Sequence, residues 1–127
     1  IADVPKTLVY ELAQEINAMS MIIPQPILDK APSAELIPGQ ADSDDLPPYP
    51  VLDKISQAYI EKNLDPDTIA SMGPAHAVVS ETIARIDRNE YKRYQAPPTL
   101  KVTTKSFGYG RRYPIAREYA WQQHPFK

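Results

Sequence analysis

Cysteine is absent from the 127-residue chain, histidine occurs only at His76 and His124, and there are four glycines. Without cysteine there is no disulfide framework, no thiolate metal site and no cysteine nucleophile. Two histidines exclude a multi-histidine metal centre. No apolar run approaches the ~20 residues of a membrane span, and no charged-then-apolar leader opens the chain, so a soluble, cytoplasmic protein is expected. A Ser-His-Asp set, a glycine-rich phosphate loop and a metal-ligand helix are all missing as well. The length fits one domain, since domains run typically about 100–150 residues.

Proline is plentiful instead, with 14 residues, and charge is unevenly placed. Residues 1–84 carry four Lys/Arg against thirteen Asp/Glu, a net charge of −9; residues 85–127 carry ten against three, a net charge of +7. Eight of the eleven aromatics (Tyr91, Tyr94, Phe107, Tyr109, Tyr113, Tyr119, Trp121 and Phe126) fall in the last 37 positions. An acidic body with a basic, aromatic tail points to a charged partner such as nucleic acid, unless the two halves neutralise one another in the fold.

The pattern along the chain is helical. Leu8, Val9, Leu12, Ala13 and Ile16 recur at helical spacing over 7–18, with Pro5 in the first turn, where its missing N–H costs nothing. Seven prolines and the acidic residues Asp42, Asp44 and Asp45 fill 24–50, which reads as a long, ordered functional loop. A second helix is expected over 51–63. Asp65 then caps a short helix with Pro66 at its first position and Ile69 and Met72 pointing inward, and Gly73 stops it. A longer helix runs from Pro74 to about Tyr94 on the stripe Val78, Val79, Thr82, Ile83 and Ile86, ended by Ala96-Pro97-Pro98. Residues 100–104 can be extended, 107–110 form a turn, and 113–123 can form a last short helix. Strand signals are nearly absent, so the chain is mainly α.

Three places have the residue types for binding anions. Lys6 lies in a first helical turn, where the helix dipole disfavours a cation unless an anion binds there with the free N–H groups. The alternative is a solvated lysine. Ser33, in Lys30-Ala31-Pro32-Ser33-Ala34-Glu35-Leu36, can donate to a phosphate oxygen or ligate magnesium, or simply cap a helical turn. Asp42, Asp44 and Asp45 can hold a hard cation or form a solvated acidic loop; no glycine stands where a calcium loop needs one. In Asn89-Glu90-Tyr91-Lys92-Arg93-Tyr94-Gln95, adjacent cations beside tyrosines can hold a phosphate or carboxylate, or merely complement a helix C-terminus.

Taken in order, these stretches resemble the NAD⁺ synthetases, in particular the long, glutamine-dependent form. Lys6-Thr7-Leu8-Val9-Tyr10-Glu11-Leu12-Ala13 is similar to that family's K-T-x-V-Y-x-L-A helix. The run from Lys30 to Leu36, with Pro38-Gly39-Gln40, Asp42, Asp44-Asp45-Leu46 and Tyr49, resembles its second phosphate-side loop. Asn89-Glu90-Tyr91-Lys92-Arg93, Gln95-Ala96-Pro97-Pro98 and Phe107-Gly108-Tyr109-Gly110-Arg111-Arg112-Tyr113-Pro114-Ile115 resemble its C-terminal end. The roughly 30 residues beyond Lys92-Arg93 match the long form; short, ammonia-only forms usually end soon after that point.

The resemblance implies ATP-dependent amidation of nicotinic acid adenine dinucleotide, through an adenylated carboxylate attacked by ammonia. It implies ATP phosphate contacts for Lys6 and Ser33, with Ser33 also near Mg²⁺, and dinucleotide contacts for Asp45, Tyr91 and Lys92. The implied fold is the helical C-terminal part of an α/β Rossmann-like (adenine nucleotide alpha hydrolase-like) synthetase domain, with functional loop 24–50 and basic tail 96–127. The family's S-G-G-x-D-S loop is absent, as are the glutaminase's glutamate, lysine and cysteine. Pro47 and Pro50 stand where Gly and Asp are expected, and they stiffen the loop. The chain, which opens on Ile1 rather than Met, is therefore expected to be a piece of a longer enzyme and inactive alone. Its expected partners are the rest of the synthetase domain, a glutaminase domain and further copies in a homo-oligomer, with no membrane. The competing expectation is a small nucleic-acid or acidic-partner binding module built on the +7 tail.

Overall fold

The computed structural model describes residues 1–33, 38–107, 110, 111 and 113. Among these the chain is helical and contains no strand, in agreement with the mainly α expectation. It divides into two compact units, Val4–Asp53 and, separately, Ile1–Asp3 with the described residues from Lys54 onward. The expected helix within 113–123 and most of the basic tail lie outside the described residues.

In the Val4–Asp53 unit, α1 spans Lys6–Met19 with Pro5 at its N-cap, one position ahead of the first turn. Of the periodic apolar residues Ala13 is buried, whereas Leu12 and Ile16 are exposed. Helical period belongs to the chain itself, but burial needs a second packed element, and none of the helix pairs that pack extensively includes α1. Beyond α1, the Asn17 side chain stitches the reversal: its amide donates to the Ile23 carbonyl at 2.8 Å and its oxygen accepts from Ile22 and Ile23 N–H at 3.1 and 2.9 Å. A helix, α2 (Gln25–Asp29), then interrupts what the sequence reads as irregular loop. Pro24 at its N-cap and Pro26 in its first turn sit where no N–H is needed, so proline density did not exclude it. A single 3-10 turn, Asp42–Asp44, follows.

α3 (Tyr49–Ser56) crosses the boundary between the units and passes into a π-helical turn, Gln57–Glu61, rather than continuing as α-helix to Asn63. The wider turn buries Ala58 and Tyr59. It ends where Asn63 adopts φ 53°, a conformation asparagine tolerates better than most residues. α4 (Pro66–Ser71) is capped as expected: Asp65 accepts from the Thr68 N–H at 3.0 Å and its hydroxyl at 2.6 Å. Ile69 is buried, but Met72 is 59% exposed, because α4 stops at Ser71 and Met72 already belongs to the turn that Gly73 completes at φ 125°.

The single helix expected to reach Tyr94 is two helices, α5 (His76–Arg88) and α6 (Glu90–Gln95). Asn89 separates them, its backbone N–H and side-chain amide both donating to the Arg85 carbonyl, at 3.1 and 2.8 Å. α4 packs on α5 and α5 on α6, and Ile55, Ala58, Tyr59, Ile69, Val79 and Ile83 form the unit's core. Each fully buried aliphatic side chain there contributes roughly 1.5–3 kcal/mol.

A carboxylate replaces regular structure after α6. Asp3, buried, accepts from the N–H groups of Val102 (2.6 Å), Thr103 (2.7 Å) and Phe107 (2.5 Å) and from the Thr103 hydroxyl (2.9 Å). The segment 100–104 is thereby bent around Asp3 instead of extended. Burial alone would raise the Asp3 pKa, but the bonds from Thr103, Val102 and Phe107 outweigh it and hold the carboxyl below its ordinary 3.8. A lowered folded value means that this stabilisation is complete above the unfolded value and is lost as pH falls through the folded one. Asp3→Asn is expected to cost about 2–3 kcal/mol in denaturant unfolding at neutral pH, with the gap to wild type closing under acid.

Candidate functional site

Lys6 is the first residue of α1, where the unpaired N–H groups would repel it. Two features make the position tenable. The Thr7 N–H and hydroxyl both donate to one Asp53 oxygen, at 2.9 and 2.7 Å, so a carboxylate 46 residues away takes the place of an N-cap side chain. The Lys6 ammonium lies 5.7 and 5.8 Å from the ring centroids of Tyr10 and Tyr49, at the outer reach of cation–π attraction. The sequence argument assigned the helix start to an external anion. The structure gives the Thr7 donors to Asp53 and leaves the half-buried ammonium on aromatic faces.

Tyr49 links this cation to the acidic loop, because its hydroxyl donates to Asp42 Oδ2. Burial first, then the Asp42 hydrogen bond and charge, push the Tyr49 phenol up to about 12. Asp44 Oδ2 accepts from the Ala41 N–H at 2.9 Å, and the Asp42 N–H donates to the Pro32 carbonyl at 2.8 Å. That last bond ties the segment carrying Ser33 to the acidic turn. Pro32, Asp42, Leu46, Pro47, Pro48 and Tyr49 help to line a cavity of about 380 Å³ between these strands of loop. Asp45 is exposed beside it, and Ser33 is half-buried.

Asp42 and Asp44 are spent on Tyr49 and on the backbone, and no group of three His, Asp or Glu among the described residues could hold a metal ion. The turn that Ser33 could cap would fall in 34–37, outside the described residues.

Tyr91 and Lys92 belong to the other unit, on α6, and both are exposed. Arg93, expected to act beside Lys92, turns the opposite way: its side chain is only 9% exposed, its Nε lies 3.3 Å from Glu90 and its guanidinium rests 5.1 Å from the Phe107 ring. The reason is helical geometry, which places Glu90 and Arg93 together at i, i+3 and Tyr91 and Lys92 on another face. Arg88 and Lys92, expected on one helix, lie on two, at the end of α5 and within α6.

Arg111 completes a buried cluster. It donates to Asp87 Oδ1 at 3.1 Å and stacks 4.6 and 3.9 Å from the Tyr59 and Tyr113 ring centroids. The Tyr59 hydroxyl also donates to Asp87, at 2.9 Å, and burial followed by the Asp87 charge pushes this phenol strongly upward. Glu90, 1% exposed, is held above its ordinary range by burial, against the pull of Arg93 and Arg111. Two cations of the basic half are thus enclosed and paired, so they are not part of a polyanion-binding surface.

Sequence reasoning missed Tyr10 and Tyr49 as the seat of Lys6, although Lys6 and Tyr10 stand at a legible i, i+4 spacing. It had no signal for Asp53, whose pairing is remote. It also missed Asp87 and Tyr59, which read as one charge and one ring on helices. If Tyr49 is the seat described, ultraviolet titration should show one tyrosine ionising near pH 12, and Tyr49→Phe should remove that late step. The raised folded value makes its stabilisation complete below the ordinary tyrosine value of 10 and lost as pH climbs through 12.

The NAD synthase family profile matches residues 1–96. The Synechocystis sp. glutamine-dependent NAD(+) synthetase is 49% identical over 119 residues, covering 94% of this chain and 21% of that protein. The Aquifex aeolicus protein of the same name is 47% identical with the same coverage. A solved structure of glutamine-dependent NAD+ synthetase from Acinetobacter baumannii, in complex with adenosine diphosphate, superposes with a TM-score of 0.54 at 38% identity, covering 89% of this chain and 19% of that one. The chain spans about a fifth of the length of the relatives it matches. It belongs to the NAD synthase family.

Proposed function

We propose that the chain is the ATP- and substrate-facing C-terminal part of a glutamine-dependent NAD⁺ synthetase, which converts nicotinic acid adenine dinucleotide to NAD⁺. The observation that carries this reading is the placement of Lys6, a cation at a helix start seated on tyrosine faces with no carboxylate partner among the described residues. A ring-held ammonium is oriented while remaining available to a phosphate. Family membership and the ADP bound to the Acinetobacter relative support ATP as its ligand.

In this reading the substrate carboxylate attacks the α-phosphorus of ATP and pyrophosphate leaves. Ammonia then attacks the resulting acyl adenylate and AMP departs. Lys6 and Ser33 bind the phosphates, and Lys6 stabilises the negative charge that builds as pyrophosphate separates. Mg²⁺ bound with the nucleotide would supply further charge neutralisation, and the Ser33 hydroxyl is the side chain that would help to hold it beside phosphate oxygens and water. Asp45, Tyr91 and Lys92 bind the dinucleotide, the exposed Tyr91 offering a ring face and Lys92 a charge.

The surrounding architecture in this reading is a Rossmann-like α/β synthetase domain in which residues 1–127 form the helical end, with functional loop 24–50 and basic tail 96–127. The rest of that domain would cover the exposed apolar face of α1. A glutaminase domain supplies ammonia, and the enzyme works in the cytoplasm as a homo-oligomer. No described helix is long and apolar enough to cross a membrane.

Lys92→Ala in the complete enzyme is expected to raise KM for the dinucleotide about tenfold, the loss of one charge-assisted contact, with KM for ATP unchanged. Steady-state kinetics with each substrate varied checks this, and an unchanged dinucleotide KM removes Lys92 from the site. Purified 1–127, given ATP, ammonia and dinucleotide, should show no turnover.

A further inference from the structure

The helix α6 that presents Tyr91 and Lys92 has six residues, Glu90–Gln95, and is joined to α5 through a break at Asn89. Helices shorter than about 12–15 residues are not stable alone in water, so its position must come from tertiary anchors. Its anchors converge on one segment. Glu90 and Arg93 form the buried face of α6, and Arg93 lies over the Phe107 ring. The Tyr94 hydroxyl donates to the Tyr113 carbonyl at 3.2 Å. Arg111 then locks that segment to the body, bonded to Asp87 of α5 and stacked between Tyr59 and Tyr113.

The approach of the segment is fixed by its backbone. The Gly110 N–H donates to the Ser106 carbonyl at 3.1 Å, and a Cβ on Gly110 would overlap the Ser106 backbone. Thr99 Oγ1 donates to the Phe107 carbonyl at 3.0 Å, and Asp3 holds the Phe107 N–H. Phe107, Gly110, Arg111 and Tyr113 therefore reach α6 along a tightly constrained path.

We infer that this segment is a splint for α6, and that Arg111, buried and bonded to Asp87, is a positioning residue that sets Tyr91 and Lys92 for the dinucleotide. The inference rests on the reading of Tyr91 and Lys92 as dinucleotide contacts. The splint fixes one face of a helix too short to fix itself, and the opposite face is the one that binds. Losing Arg111 leaves Asp87 buried without its guanidinium, frees the Tyr113 end and lets α6 shift relative to α5.

The test is a kinetic cycle in the complete enzyme with Arg111→Met, Arg111→Lys, Lys92→Ala and the double variant Arg111→Met/Lys92→Ala. Arg111→Met is expected to raise KM for nicotinic acid adenine dinucleotide about tenfold while KM for ATP and glutaminase turnover stay within about twofold. The double variant should be close to Lys92→Ala alone rather than about a hundredfold above wild type, because Arg111 acts through the same helix. Arg111→Lys, which keeps the charge and loses the planar stack, should give an intermediate rise of about threefold. A folded Arg111→Met enzyme with unchanged dinucleotide KM, equal changes in both substrates' KM, or full additivity with Lys92→Ala overturns the splint. Should Arg111→Met fail to fold, Arg111→Lys carries the test, and an unchanged dinucleotide KM in it is equally fatal. An inert Lys92→Ala overturns the substrate reading instead, so the two failures are distinguishable.

Discussion

The guanidinium of Arg111, enclosed between two tyrosine rings and bonded to Asp87, is the contact on which the described end of the chain depends. Moving a charge out of water costs several kcal/mol even after relaxation, and the cost is recovered only with a partner of good geometry. Here the cluster balances, two carboxylates (Asp87, Glu90) against two guanidiniums (Arg93, Arg111). The aromatic faces add attraction that strengthens as water is excluded. Such an arrangement punishes partial loss: taking away one member leaves an opposite charge buried, at a cost of about 3–5 kcal/mol. A core of this modest size gains from it fixed places for Arg111 and Tyr113.

The same device appears in neutral surroundings at Asp3, where one carboxylate gathers backbone N–H groups from Val102, Thr103 and Phe107. Lys6 shows the complementary arrangement. Asp53 is committed to Thr7 and Asp42 to Tyr49, so the nearby carboxylates serve the backbone and a phenol while the ammonium rests on rings. Among the described residues, the buried charges of Asp3, Asp87, Glu90 and Arg111 are engaged in the fold. The charges assigned to binding, on Lys6 and Lys92, are held at or near the surface, where an anion can reach them.

Local chemistry was legible in the sequence and remote chemistry was not. The Asp65 cap, the stop at Gly73 and the periodic stripe of Val79 and Ile83 each follow from residues within a turn or two of one another, and each appears as read. The break at Asn89 was invisible, because Asn89 and Glu90 are both compatible with a continuous helix. α2 was hidden by its own prolines, whose helix-start positions are harmless but resemble loop composition. Lys92 and Arg93 look alike in a string of residues, yet one turn of helix sends them to opposite environments. The charge division was real, and among the described residues Arg111 pairs with Asp87 and Arg93 with Glu90, both inside the basic half.

The central claim is that Lys6 serves the adenylation half-reaction by holding ATP phosphates. Pyrophosphate exchange isolates that step, with labelled pyrophosphate entering ATP in the complete enzyme when nicotinic acid adenine dinucleotide is present and ammonia and glutamine are withheld. The account predicts dinucleotide-dependent exchange that falls at least about a hundredfold in Lys6→Met, a size typical of losing one electrostatic contact to the transition state. Exchange that proceeds without the dinucleotide, or that Lys6→Met leaves at the wild-type rate, would contradict it.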